Sequence, residues 1–569
     1  MDQVVYDLSS QTESEPNIFI KKDWVSILDN QNGNYAGNQA VIDTSQLSNS
    51  NKFMNFREGY LTIPQQLCLS TATGSAAFAP QTAATAVDYG VGLKNWYGSI
   101  IHSISVDLAG TTIIQQTPFQ SLWNNFKLLT TLSYQDLLTL GPSIGFYPDN
   151  SASWSYSTVA SVYGSIGVSN NVNNFRAPVI TGAANSHEIT NTGMYQRQRS
   201  WNFNVAGLTG VSQTGTVAQS PFSALISQSS LSQIYKSSII RTAAGIWQAN
   251  IVATVLLRHL HMFFDKIPLC KGVFMKITLN LNNTVVVFNS TTGRIMSQTQ
   301  GSSQFPLGGV NPILVSSSDA GSGMAASAAA VATDYNVSLS VGGVCLDQAS
   351  RTAGSIAGPL LNLTLTVPSY TFNPIYEQAY LSNPVRKIDY EDIYQYQVLN
   401  VAGGATFNNL ITNGIAGIRS VLVIPFHTAN SSTNNSISPL QSAFDPAGGG
   451  TTSPLVFLNN FNCVISGQNA LYNSQRYTYE NFLNQLNGQN GVNGSQMDGM
   501  SSGLISQYDF ESSYNYYYVN VERCLPMEKG VSKSVNIIGQ NMSVFPVDLY
   551  VFISYGVSVS INLFTGSRV

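Results

Sequence analysis

Period-two alternation of apolar and polar side chains recurs along this chain, and it limits the folds open to it. Residues 100–108 (IIHSISVDL), 272–281 (GVFMKITLNL), 361–367 (LNLTLTV), 420–426 (SVLVIPF) and 549–563 (LYVFISYGVSVSINL) all carry it, and Val285, Val286, Val287 and Phe288 follow the second run after a short Asn-rich break. Such a run turns every second side chain to one face, so it is stable only as a strand whose apolar face packs on something else. Helical spacing is scarcer. It is clearest at 118–129 (PFQSLWNNFKLL), with an early proline, and at 471–486 (LYNSQRYTYENFLNQL), where Tyr479, Phe482, Leu483 and Leu486 share a face; 225–243 is a third candidate. These helices do not alternate with strands as a βαβ protein requires, so the expected class is mainly β, with short helices in the connections.

Composition narrows what such sheets could do. Only 9% of the residues are charged, against roughly 25% in an ordinary soluble domain. Amides and hydroxyls must therefore do most of the solvating, with large assembly surfaces as the other use for an uncharged exterior. A formal net charge of -4 gives no concentrated basic surface, so sequence-specific nucleic-acid binding is not expected. An apolar share of 43%, with 28 Tyr and 26 Phe, excludes disorder along the whole chain. The five cysteines, Cys68, Cys270, Cys345, Cys463 and Cys524, form no close pair and suit a reducing compartment. The first 20 residues lack a basic start followed by an apolar core, and no uncharged run makes a convincing transmembrane segment, so neither secretion nor a membrane span is expected.

A chain of 569 residues is too long for one ordinary core. Residues 1–54 are rich in Asn, Ser and Gln, with short apolar pieces at 17–20 and 24–27, and read as an N-terminal arm whose apolar pieces dock either on a neighbour or on their own domain. Small-residue stretches at 316–331 and 348–358 suggest a boundary. The expected division is an arm at 1–54, a first sandwich at 55–345 with long insertions, and a second at 346–569. Each part has enough strands to close a sandwich without covering helices.

Several segments resemble a known family. The run Leu365-Thr366-Val367-Pro368-Ser369-Tyr370-Thr371-Phe372-Asn373-Pro374, with Tyr376-Glu377-Gln378-Ala379-Tyr380 after it, is similar to the strand and exit loop that open the second barrel of double jelly-roll major capsid proteins. Residues 263–281 (FFDKIPLCKGVFMKITLNL), Ser466-Gly467-Gln468-Asn469, Tyr472 and 477–482 (YTYENF) resemble the same family, in its virophage and Polinton-like virus branch. The resemblance covers 55–569 and implies two tandem eight-stranded jelly rolls per chain. It also implies a homotrimer forming a pseudo-hexagonal capsomer, and neighbouring capsomers tiling an icosahedral shell around double-stranded DNA, with penton and minor capsid proteins as further partners. The location it implies is the virion, after assembly inside the host cell, and the arm would lie inside the shell. No enzymatic role and no cofactor are implied. The alternative on the residues alone is a β-sandwich carbohydrate-binding or fibre protein.

Chemistry-bearing residues are few. Gly141-Pro142-Ser143-Ile144-Gly145 fits the G-x-S-x-G nucleophile pattern, but Phe146-Tyr147-Pro148-Asp149-Asn150 reads as a turn where an elbow needs a helix, so a glycine-proline loop is expected. His259 and His261 would share one face of a strand near Asp265. The remaining histidines, His102, His187 and His427, are scattered, so a metal site is not expected. The cluster Arg386, Lys387, Asp389, Glu391 and Asp392 stands out in so uncharged a chain and is the candidate set of intersubunit contacts, against a solvated loop as the plain alternative. Tyr514, Tyr516, Tyr517 and Tyr518 read as a strand with alternate rings in the core and the rest at an interface.

Overall fold

A computed structural model of the chain describes chiefly residues 17–71, 89–148, 247–300, 311–316, 335–342, 362–428, 457–486, 502–524 and 530–569, with single positions and short turns inside these ranges left out. The expected helix at 225–243, the small-residue stretches and the Asn-rich loop at 428–436 fall largely outside the described residues.

The described strands form two groups of eight, each folded into two facing sheets. The first group comprises β1 (Phe19–Leu28), β2 (Gln39–Asp43), β3 (Tyr60–Thr71), β4 (Ile101–Leu108), β5 (Thr111–Ile114), β6 (Trp247–Leu256), β7 (Met275–Leu281) and β8 (Thr364–Phe372). Its sheets run β1-β8-β3-β6 and β2-β7-β4-β5, all antiparallel. The second group comprises β9 (Val385–Val401), β10 (Thr406–Ala416), β11 (Ile418–His427), β12 (Leu458–Ile465), β13 (Gln468–Asn469), β14 (Tyr517–Asn520), β15 (Ser532–Asn541) and β16 (Val547–Asn562). Its sheets run β9-β16-β11-β14 and β10-β15-β12-β13. In both groups the order by position is 1-8-3-6 facing 2-7-4-5, the strand order of a jelly roll. The chain is therefore mainly β, two tandem eight-stranded jelly rolls. Further strands at Thr284–Thr291, Ile295–Gln300 and Tyr335–Val341 prolong the first roll's sheet beyond the far end of β3.

Alternation decides the faces. In β7 Met275, Ile277, Leu279 and Leu281 are buried while the residues between them are more open, and in β15 Val535 and Ile537 point inward in the same way. The apolar faces of the paired sheets meet to make each core. Both β8 and β16 are buried along most of their length, as strands hydrogen-bonded on both sides and covered on both faces must be.

The boundaries differ from those expected. Residues 1–54 are not all an arm: β1 and β2 are the first strands of roll 1, with Ile27, Ala40 and Ile42 in its core. The apolar pieces at 17–20 and 24–27 thus dock on their own domain, β1 pairing along its length with β8. The run at 365–374 does not open the second barrel. Strand β8 closes the first, wedged between β1 and β3 with Leu365 opposite both Ile27 and Leu61. Roll 1 therefore extends past 345 to Phe372, and a short helix (Pro374–Leu381), capped by Asn373 and started by Pro374, leads to Val385. A strand pattern reports a buried face but not which sandwich buries it; the partner strands, more than 300 residues away, decide that.

Removing residues 1–50 deletes two strands of roll 1 and uncovers the edge of β8. The truncated chain should lose the cooperative thermal transition of the first roll, which calorimetry would register; an unchanged thermogram would contradict this placement.

Candidate functional site at the seam between the rolls

The long connection from β5 to β6 begins with two helices, α1 (Gln120–Thr131) and α2 (Tyr134–Ile144). Every residue of α1 from Gln120 to Thr130 except Lys127 is buried. A helix buried nearly all round must be covered on both sides, and α1 lies between roll 1 and the sheet β9-β16-β11-β14 of roll 2. Its aromatic side chains meet aromatic partners on that sheet. Phe119 is 5.2 Å from Tyr550, Trp123 6.2 Å from Phe552, and Phe126 5.1 and 5.4 Å from Tyr516 and Tyr518, between ring centroids. Pairs of this kind contribute about 0.5–1.5 kcal/mol each beyond their buried area.

Hydrogen bonds fix the register. Gln120 receives the Ile104 N–H at 3.2 Å and donates to the Leu260 carbonyl at 2.9 Å, which ties α1 to roll 1. Across the seam Thr117 donates to the Ile393 carbonyl at 2.9 Å, Tyr390 to the Ile113 carbonyl at 2.8 Å, and the Leu504 N–H to the Leu129 carbonyl at 2.8 Å. Gly503 passes so close to the end of α1 that a Cβ there would sit 2.4 Å from the Leu129 carbonyl oxygen, at a positive φ that itself favours glycine.

Charges are set into this apolar contact. His259 and His261 do not share a strand; they sit on and just after a helical turn, α3 (Leu257–Leu260). The Nδ1 of His261 accepts the Phe263 N–H at 3.2 Å, so its proton is on Nε2, which faces Asp392 Oδ1 at 3.4 Å. Asp392 also accepts the Ile393 N–H at 2.8 Å and the Tyr555 hydroxyl at 3.4 Å. Glu391 pairs with Arg419 at 3.1 Å, and Arg419 reaches Glu522 at 3.4 Å. Burial pulls the Lys127 ammonium below its usual range, with Glu391 opposing the shift, and Lys127 lies 5.2 Å over the Trp123 ring. Trp123, Lys127, His261, Glu391 and Arg419 line a cleft of about 610 Å³, together with Arg258 and His259. The His259 ring is partly exposed, yet its Nδ1 is shut off from solvent with no hydrogen-bond partner. Desolvation, then the neighbouring Arg258, push its pKa down to about 4.

The candidate contact set is thus divided. Glu391 and Asp392 are spent within the chain, in the seam, and Arg386 donates to the Tyr380 carbonyl at 3.5 Å beside that ring. Lys387 and Asp389 remain exposed. The tyrosine run follows the alternate reading: Tyr517 packs inward on Phe461 and Tyr477, at 4.9 and 5.2 Å, while Tyr516 and Tyr518 meet α1. Ser143 lies not in a loop but exposed in the last turn of α2, a helix begun by a Ser133–Asp136 capping box and ended by Gly145 at φ 66°. It is not on a strand-to-helix elbow. Among the described residues no group of three or more His, Cys, Asp and Glu could hold a metal, and no helix is long and apolar enough to cross a membrane. Cys270 is buried, its thiol pushed up to about 12 by desolvation. The sequence signal for the aromatic face of α1 is Trp123 and Phe126 spaced three apart, with Phe119 before them.

Comparison with solved structures gives similarity along almost the whole chain. A chain of the Sputnik virophage solved by cryo-electron microscopy is 10% identical, with a TM-score of 0.44 over 97% of this chain and 88% of that one. The mavirus major capsid protein is 10% identical, with a TM-score of 0.46 over 96% and 89%. The Faustovirus major capsid protein is 11% identical, with a TM-score of 0.44 over 98% and 94%. No family model matches the chain, and no curated protein matches it in sequence. The jelly-roll assignment stands on the strand order of this chain itself.

Two measurements probe the seam. Trp123→Ala should lower stability by about 3–5 kcal/mol and separate the melting of the two rolls in calorimetry. His259 is held at about 4 in the fold against an ordinary 6.5, so the unfolded chain binds more protons between those values. Its contribution is present above pH 6.5 and is lost as pH falls towards 4. His259→Gln should therefore flatten the fall in stability across this window, read by denaturant titration at a series of pH values.

Proposed function

We infer that this chain is a major capsid protein of an icosahedral double-stranded DNA virus. The observation that carries the reading is the pair of complete jelly rolls in one chain, held side by side by a buried helix. Two similar rolls give a three-chain ring six similar lobes, which is the geometry a hexagonal lattice position needs. The low charge fits surfaces that must approach several copies without like-charge repulsion. The virophage and Polinton-like resemblance of the motifs around 263–281 and 466–482 points the same way. In this reading the role is structural rather than enzymatic, and the protein resides in the virion after assembly in the host cell. Its partners are two further copies, neighbouring capsomers, and penton and minor capsid proteins. Contact with packaged DNA is not sequence-specific. Of the charged cluster on β9, Lys387 and Asp389 are the residues left to meet another subunit.

Light scattering of the purified protein over a range of concentrations tests this. A discrete species near 184 kDa, three times the chain mass of 61.3 kDa, is expected, with pseudo-hexagonal particles in micrographs. A species that stays at 61.3 kDa at every concentration would count against it.

A further inference from the structure

The aromatic residues of roll 2 that do not enter the seam enclose a cleft of their own. Tyr516 and Tyr518 turn towards α1, so Tyr517 between them points to the other side of β14, into the space between the two sheets of roll 2. There Tyr517, Tyr477 and Phe510 make the floor of a cleft of about 300 Å³, and Phe457 and Met542 make its lip. The floor residues are at most 7% exposed, whereas Phe457 and Met542 are 44% and 53% exposed. Each part is held from behind. Tyr517 lies 5.2 Å from Tyr477 between ring centroids, and its hydroxyl accepts the Leu458 N–H at 2.8 Å. The Tyr477 hydroxyl donates to the Tyr518 carbonyl, and Phe510 stacks on Phe482 at 4.9 Å. The Met542 N–H donates to the Phe457 carbonyl at 2.8 Å, which joins the two halves of the lip. A ligand entering walls fixed in this way has little to order. The volume stands at the low end of the roughly 300–1,000 Å³ usual for small-ligand sites, which is room for one ring rather than a folded chain.

Three polar side chains, Asn459, Arg476 and Glu511, border this apolar floor. Asn459 and Arg476 face each other across an antiparallel bridge, which sets their side chains next to one another. Glu511 comes from another element, the helix Gln507–Ser512. Among the described residues the Asn459 amide and the Arg476 guanidinium have no hydrogen-bond or ion-pair partner, and Glu511 receives only the Gln507 side-chain amide, at 3.2 Å and on one of its two oxygens. Arg476 and Glu511 are the only charged residues that line the cleft, and they are not paired with each other. Their charges cancel, so the cleft favours a ligand that is neutral overall. An amide, a guanidinium and a carboxylate are all planar and two-pronged, and each can bond two neighbouring groups at once. Together they ask for a rim on which donors and acceptors stand side by side, as they do on adjacent hydroxyls. The floor asks for an apolar face.

We propose that this cleft binds a neutral hexopyranose unit of a glycan, with the C–H face of the sugar on the aromatic floor and its hydroxyls on Asn459, Arg476 and Glu511. A pyranose ring combines the two features the cleft asks for, an apolar face and a rim of adjacent hydroxyls, and carries no charge. The inference goes beyond the capsid reading and does not depend on it. In a shell of many copies the site has a further consequence: single contacts that are weak add up to firm attachment to a surface bearing such sugars.

The test is saturation-transfer NMR of the purified protein with the methyl glycosides of glucose, galactose, mannose and N-acetylglucosamine. At least one should receive transfer, with a Kd on the order of 1 mM, the strength a ligand of this size reaches in a shallow site. Arg476→Ala and Glu511→Ala, both at exposed positions, should each weaken binding about tenfold or more with the melting temperature kept. Glu480→Ala, an exposed acid outside the cleft, should leave binding unchanged. Place is read without altering the site: in protein with isotope-labelled methionine methyls the sugar should shift the Met542 resonance, identified by its loss in Met542→Leu. Binding that survives both alanine substitutions with the Met542 methyl unmoved overturns the site. Transfer from leucine or phenylalanine, and from none of the glycosides, marks the cleft as a seat for an amino acid and overturns the sugar. No transfer from any glycoside at concentrations well above the expected Kd overturns the proposal as well. Each of these outcomes leaves the capsid reading where the oligomer mass puts it.

Discussion

The packing of α1 against the outer face of β9-β16-β11-β14 is the contact on which the arrangement of this molecule depends. Each roll can bury its own inner faces, but neither can cover a second apolar face without the other. Helix α1 does so by being apolar on opposite sides: one side rests on roll 1, and Trp123, Phe126 and the preceding Phe119 enter the sheet of roll 2. Contacts at both ends of the helix, from the Thr117 hydroxyl on the Ile393 carbonyl to the close pass of Gly503, leave little freedom for the two rolls to turn relative to each other.

Charge within the seam acts as registration more than as glue. Burying Asp392 beside His261 costs desolvation that the pair itself only partly returns, whereas removing one partner would strand the other. The Ile393 N–H and the Tyr555 hydroxyl lower the cost by occupying the remaining acceptor positions of Asp392. Glu391 serves Arg419 and the half-buried Lys127 from the next position along β9. In a chain with so few charges, placing several at one internal boundary fixes which face meets which.

The strands were legible because period-two alternation survives wherever one face is buried: 100–108, 272–281, 420–426 and 549–563 all contain strands at or within a few residues of the expected places. The helix at 118–129 was legible from its proline and apolar spacing, and the one at 471–486 shortened to Tyr479–Leu486. Less was legible at the boundaries. Residues 19–28 carry three charges on one strand, and the polar look hid that Val25 and Ile27 face a core. The site was legible only in part. Glu391 and Asp392 stood out as charges, but sequence does not say that they face the same chain, and His261 became their neighbour only through the turn at 257–260.

Sequence by itself determined the class of this protein, because burial patterns of period two and a shortage of charge are properties of residues and their near neighbours. It also carried, in the motifs it shares with double jelly-roll capsid proteins, the expectation of two rolls. The tertiary structure alone decided that β8 closes the first roll, that β1 belongs to it, and that a helix from the first roll covers the outer face of the second. Those are questions of which strand lies beside which across hundreds of residues, and they are settled by the pairing of edges and the filling of a shared core, to which no local pattern refers.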